Sequence, residues 1–225
     1  MSKITRIVLG AGFLGWLGSG IPGHAETQPG LSQSEVIRNI QLTAAAVRSL
    51  ECRFTEHIQR RGFPTETIQG RLRCLRPNKL RIDQRVPDQQ LIVSDNRTLR
   101  IYTPAAGQLL TGDRARWLAQ NGFPDPLLSF VSDFPVERWT ERYTILFGGH
   151  DKGLYQLIFR PKRADDQSLE LWVSDETFLP RLGHMPSDDN TIDILFDHLR
   201  VNPPIQESIF HPEIPKNTVI VPMPS

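Results

Sequence analysis

Cys52-Arg53-Phe54-Thr55-Glu56-His57-Ile58-Gln59, followed by Gly62-Phe63-Pro64-Thr65 and then Thr67-Ile68-Gln69-Gly70-Arg71-Leu72-Arg73-Cys74-Leu75, decides the fold. Both flanks alternate with the period of a strand, and the middle is a cluster of turn-forming residues. In the first strand Cys52, Phe54 and Ile58 share a face that Glu56 interrupts. In the second, Ile68, Gly70, Leu72 and Cys74 share a face, while Thr67, Gln69, Arg71 and Arg73 take the other. Pairing residues whose numbers sum to 126 aligns the two apolar faces: Cys52 with Cys74, Phe54 with Leu72, Ile58 with Ile68. This register would bring the two cysteines of the chain together as a structural disulfide. Two buried thiols packing as small hydrophobes are the alternative.

Before this hairpin, Ser34 is a candidate cap for a helix running to about Leu50, with Val36, Ile37, Ile40, Ala44, Val47 and Leu50 at helical spacing. After it comes a tight turn, Arg76-Pro77-Asn78-Lys79. Strands are then expected at Leu80–Gln84, Gln90–Ser94, Thr98–Thr103, Tyr143–Phe147, Leu154–Arg160, Ser168–Ser174, Phe178–His184 and Thr191–Val201. Trp117 to Val131 breaks the rhythm, and Leu127, Leu128 and Val131 after Pro126 suggest a short helix. The tail carries six Pro after Asn202, so it cannot be a central strand. The pattern is an antiparallel, meander-like sheet that curls or closes. Ile192, Ile194 and Phe196 alternate with Asp193 and Asp197, which makes one face apolar and the other wet. Only the N-terminal helix and the Trp117–Val131 region are available to cover the apolar face. The sheet therefore either closes on itself or leaves a cavity under a helical lid.

The N-terminus reads as an export signal. Lys3 and Arg6 precede an apolar, Gly-rich run from Ile7 to Ile21, and Gly23-His24-Ala25 sets cleavage after Ala25. Residues 1–25 are then a signal peptide, and 26–225 form one domain large enough to bury about 70% of its unfolded surface. With Glu26 rather than Cys after the cleavage point, no lipid anchor is expected. Losing Lys3 and Arg6 takes Lys+Arg from 26 to 24 against 25 Asp+Glu, so the net charge moves from +1 to −1. Without a basic block there is no electrostatic footprint for nucleic acid.

Motifs that carry chemistry are missing. No Gly-x-Ser-x-Gly, His-Glu-x-x-His, Cys-x-x-Cys or Walker sequence is present. His57, His150, His184, His198 and His211 lack metal-ligand spacing. Asp165-Asp166 and Asp188-Asp189 read as solvated loop charges, and Glu56 as a carboxylate at the sheet edge or one snorkelling to an Arg. The expectation is a non-enzyme with no cofactor and no metal.

The order of landmarks resembles the LolA family of periplasmic outer-membrane lipoprotein carriers. It is carried by Gly70 through Ile82 with its Arg76-Pro77-Asn78, by Pro87, by Ile92-Val93-Ser94-Asp95-Asn96 and by Tyr102-Thr103-Pro104. Phe54-Thr55-Glu56 resembles the family's Phe-x-Gln, and Phe210 before Pro212 and Pro215 its ending. The resemblance implies a mainly β, open antiparallel half-barrel of about ten to eleven strands. An N-terminal helix and a short helical lid would cover an apolar cavity. It implies a monomeric periplasmic carrier that receives acylated lipoproteins from an inner-membrane lipoprotein-releasing ABC transporter. The carrier would pass them to an outer-membrane lipoprotein receptor. Phe54, Ile58, Leu72, Leu80, Ile82, Ile101, Leu127, Leu128 and Val131 would line the cavity. Arg76 would latch the lid, the other reading being a plain turn charge. Departures are Glu56 for the family Gln, Leu80 and Ile82 where aromatics are common, and Arg100 where an aromatic can occur; the effect of Glu56 and Arg100 on the cavity is open. The alternatives are a related carrier of free lipids or glycolipids, or an exported enzyme of unrecognised type.

Overall fold

The computed structural model describes residues 31–95, 97–116, 136–163, 167–186 and 189–223. Helix α1 is Gln33–Ala46. The strands are β1 Ser49–Arg60, β2 Glu66–Leu75, β3 Lys79–Val86, β4 Gln90–Ser94, β5 Thr98–Thr103 and β6 Gln108–Asp113. Helix α2, Val136–Arg142, leads into β7 Tyr143–Asp151, β8 Leu154–Pro161, β9 Leu169–Ser174, β10 Pro180–Met185 and β11 Asn190–Val201. Strand β12, Val219–Pro222, follows a 3-10 turn at Glu207–Phe210. The twelve strands form one sheet in the order β12-β6-β5-β4-β3-β2-β1-β11-β10-β9-β8-β7. Two meanders, β1–β6 and β7–β11, are sewn together where β1 pairs with β11. The edges β12 and β7 do not meet, so the sheet is open, as the half-barrel expectation requires.

Helix α1 starts two residues earlier than the apolar spacing suggested. Ser32, not Ser34, is the cap, because only Ser32 has a Glu three residues on. The Glu35 amide donates to Ser32 Oγ at 3.4 Å, and the Ser32 amide donates back to Glu35 Oε2 at 2.8 Å. The Ser32 hydroxyl, donating to Glu35 Oε2 at 2.6 Å, and then the Ser32 amide hold the Glu35 carboxyl below its ordinary value. The helix ends at Ala46 rather than Leu50, since β-branched Val47 is already extended and Ser49 and Leu50 belong to β1. Val36, Ile40 and Ala44, four apart, form its buried stripe.

The β1–β2 register differs from the expected one by two residues. Partner numbers sum to 124, so Cys52 faces Leu72, Cys74 faces Leu50, and Phe54 faces Gly70. The reason is the turn. Gly62, at φ +82°, takes the left-handed position, and the Phe63 amide closes on Arg60 O at 3.1 Å. Since side chains repeat every two residues, the apolar faces still coincide while every pair changes. Cys52 and Cys74 are therefore on one face but not opposite each other, and both are buried as thiols rather than joined in a disulfide. Burial first, and the neighbouring Cys74 second, push the Cys52 thiol far above its usual range. It stays protonated and packs as a hydrophobe.

Gly70 is required by packing. A Cβ there would lie 2.7 Å from the Phe54 ring and 2.8 Å from Asp83 O. The Phe54 ring lies over the space a side chain would take.

Two strands were not read from the sequence. Strand β6 carries Leu109-Leu110 rather than clean alternation, and it starts after Gly107, whose φ is +59°. Strand β12 belongs to the Pro-rich tail, which holds no central strand: it adds to the edge of β6 in parallel and ends at Pro222. Between β11 and β12 the tail runs across the outer face of the sheet. Lys79 pairs with Glu207 at 2.7 Å, Arg81 Nη1 donates to Ile209 O at 2.8 Å, and Phe210 is buried. At its start, Asn202 ties three segments together. Its Oδ1 accepts from the amides of Arg48 and Ser49 at 2.7 and 3.2 Å, and its Nδ2 donates to Ala46 O at 3.0 Å.

Candidate functional site

The register puts a continuous apolar row across seven strands on the inner face. Cys52 faces Leu72, Leu72 faces Ile82, Ile82 faces Ile92, and Ile92 faces Ile101. Ile101 then faces Leu110, and Leu110 faces Val221 of β12. From Cys52 to Ile92 the row is buried, while Ile101, Leu110 and Val221 are half-exposed. A second row runs Leu50, Cys74, Leu80, Ser94, Leu99. On the other half of the sheet Phe54 and Ile58 continue the face into Phe196 and Ile192 of β11.

The expected lining residues are thus brought together. Phe54, Ile58, Leu72, Leu80 and Ile82 are buried on this face and Ile101 is half-buried on it. Leu127, Leu128 and Val131 lie outside the described residues. Ile92, Leu110 and Val221 were missed. The first was within reach, because extending the hairpin register one strand further selects it; the other two needed β6 and β12. Arg100 faces Val93 and Thr111, on the outer face, so it does not shape the apolar surface. Glu56 is not at an edge: it is 3% exposed in the central strand β1, opposite Ile68 and Ile194, where it has an interaction of its own.

What covers the inner face among the described residues is α1 and α2. Val36, Ile40 and Ala44 pack into one core with Phe54, Leu72, Ile82, Phe159 and Phe196. Trp139 of α2 meets the Phe159 ring edge-on, centroids 5.1 Å apart. Helix α1 is moored by side chains. Gln33 Nε2 donates to Ile145 O of β7 at 2.9 Å, Thr43 Oγ1 to Thr177 O at 3.4 Å, and Arg76 Nη1 to Ala44 O at 2.7 Å. The helix therefore runs from β7 to the β2–β3 turn. Six inter-strand steps make roughly 29 Å, and 14 residues of helix about 21 Å; the reach of Gln33 and Arg76 makes up the rest.

Arg76 is well placed for its bond. Its own amide donates to Arg48 O at 2.8 Å, and Asn78 turns the chain with φ +66°. The last turn of α1 holds no basic residue, so the guanidinium supplies the cation that a helix C-terminus favours and adds a charged donor to a carbonyl that otherwise accepts the 3.3 Å bond of the Val47 amide.

Among the described residues no three His, Cys, Asp or Glu side chains gather as a metal site. His184 sits against Asp193 at 2.6 Å on the outer face, while His150 sits against Asp175 at 2.8 Å with its ring stacked on Tyr155, centroids 4.4 Å apart, at the β7–β8 edge. No described helix is long and apolar enough to cross a membrane.

Residues 45–213 match a family profile described as Outer membrane lipoprotein carrier protein LolA. An outer-membrane lipoprotein carrier protein of Chromobacterium violaceum is 25% identical over 191 residues, covering 84% of this chain and 89% of that protein. One from Pasteurella multocida is 25% identical over 162 residues, covering 69% and 71%. Among solved structures, an uncharacterized conserved protein from Thermus thermophilus superposes with a TM-score of 0.57 at 10% identity, covering 84% of this chain and 98% of that one; it shares the fold.

Proposed function

The chain belongs to the LolA family, and on that premise we propose that it is a periplasmic carrier that shields the acyl chains of lipoproteins against the inner face of its open sheet. The observation that carries this reading is the apolar row from Cys52 to Val221, covered at one end by a helix that side-chain bonds hold in place. In this reading cargo arrives from an inner-membrane ABC transporter and leaves to an outer-membrane receptor, and the protein catalyses no reaction.

Magnitudes set the design such a carrier needs. Each buried CH₂ contributes about 0.8 kcal/mol, so one chain of roughly 16 carbons can gain on the order of 12 kcal/mol. Three chains fully buried would exceed the non-covalent ceiling of about 18–21 kcal/mol. Cargo held that tightly would not be released. The closed helix lowers the net affinity, because Val36, Ile40 and Ala44 give up on the order of 5 kcal/mol of burial when displaced. Arg76 adds a charge-assisted bond that must also break. A partly shielding face and a competing helix together make transfer reversible.

The test is native mass spectrometry of the exported protein with a lipoprotein in acylated and non-acylated forms. A 1:1 complex with the acylated form alone is the expected result. Equal binding of both forms, or none, sinks the reading. Lipid extracted from the purified protein in place of lipoprotein would assign it to a carrier of free lipids.

A further inference from the structure

The outer face, opposite α1, carries a cleft of about 310 Å³ with Arg71, Arg73 and Arg85 in its wall. Its floor is a register row: Arg71 faces Asp83, Asp83 faces Leu91, and Leu91 faces Tyr102. The cross-strand partner of Arg71 is thus an acid, but that acid is engaged elsewhere. Arg81 donates to the Asp83 carboxylate through Nε and Nη2 at 2.7–3.0 Å, and Arg73 Nη2 donates to it as well. Burial opposes ionisation of Asp83, yet these bonds hold its carboxyl below the ordinary range.

Arg85 comes to the cleft through an irregularity in the ladder. Gln69 faces Val86 while Gly70 faces Gln84, so Arg85 is an extra residue in β3. Such a bulge re-aims a side chain that regular pleating would send elsewhere. Among the described residues neither Arg71 nor Arg85 has a hydrogen-bond or ion-pair partner, and Arg73 Nε is buried without an acceptor. Three arginines lining one cleft, two of them without a partner among the described residues and the third with an unsatisfied Nε, fit a phosphate, whose oxygens accept bidentate bonds. Tyr102 and Gln89 complete the wall, and a phenol hydroxyl and a side-chain amide are groups that suit ester and hydroxyl oxygens. The volume is at the small end of ligand sites, which favours a compact anion over a polypeptide.

We propose that this outer cleft is a binding site for a phosphate-bearing small molecule of glycerol phosphate size, free or as the headgroup of an anionic phospholipid. It lies on the opposite face from the apolar row, so its occupant and the cargo do not compete for space.

The experiment is calorimetric titration of the exported protein at low salt with glycerol 3-phosphate and with inorganic phosphate. Co-sedimentation with phosphatidylglycerol vesicles and with purely phosphatidylcholine vesicles runs in parallel. The expected result is saturable binding of glycerol 3-phosphate that weakens at least about tenfold, the equivalent of about 1.4 kcal/mol, in Arg71→Gln/Arg85→Gln. Melting temperature and lipoprotein loading should be unchanged in that variant. Sedimentation with the anionic vesicles alone, competed by glycerol 3-phosphate, assigns the headgroup as ligand; binding without sedimentation assigns the free phosphate. The proposal is overturned by no saturable binding of either phosphate at millimolar concentration, or by equal affinity in the variant. It is also overturned if polyglutamate binds and glycerol 3-phosphate fails to displace it.

Discussion

At the scale of single residues, two positions make the account testable. Gly70 has its side-chain space filled by the Phe54 ring and by Asp83 O, so Gly70→Ala should destabilise the fold by about 1–3 kcal/mol. A urea melt reads this directly, and an unchanged midpoint would mean that the β1–β2 contact relaxes freely. Asp83 sets an acid limit. Its folded-state carboxyl is lowered by Arg81 and Arg73 against the cost of burial, so the unfolded chain binds the proton more readily. The stabilisation is therefore present above about pH 4, the ordinary carboxylate value, and is lost as pH falls through the lower folded value. Asp83→Asn should lower stability at neutral pH and flatten the acid limb of the stability–pH curve. An acid limb with the same slope as the wild type would remove Asp83 from it.

At the scale of elements, α1 is the part on whose attachment the proposed function depends. Arg76→Leu removes a charge-assisted bond to Ala44 O, for which about 1–2 kcal/mol is expected. The loss should fall on α1 alone, seen as faster amide exchange in Gln33–Ala46 with β1–β3 protection kept. Equal loosening of sheet and helix would make Arg76 an ordinary turn residue. This scale also shows how far the sequence could be read. Alternation in β1, β2 and β11 named the apolar face correctly, and Phe54, Leu72, Leu80 and Ile82 all stand on it. Alternation has a period of two, so it fixes the face but cannot separate registers that differ by two; only the positive φ of Gly62 chooses between them. The Ser32–Glu35 capping box was readable and the apolar spacing masked it. Strand β12 was not readable, because Val219 and Ile220 are exposed and its partner β6 lies far away in sequence. That Asp83 turns away from Arg71 is likewise a tertiary fact, set by Arg81 and Arg73.

At the scale of the molecule, an open twelve-stranded sheet has one apolar face too wide for its helices to ignore and two edges that never meet. The tail braces the outer face through Lys79 and Arg81, and Asn202 fixes the end of β11 to the end of α1. Among the described residues the sheet is thus held from outside by the tail and covered on the inside by α1 and α2. On the proposed function, a face braced by the tail under a helix that cargo displaces would suit reversible burial of acyl chains. It implies that loading moves α1 and leaves the sheet in place. Hydrogen exchange of the free protein and of its complex with an acylated lipoprotein measures this most directly. Amides of Gln33–Ala46 should lose protection on loading while those of β1–β3 keep or gain it; a stable, acyl-dependent complex in which α1 stays as protected as in the free protein would contradict the account.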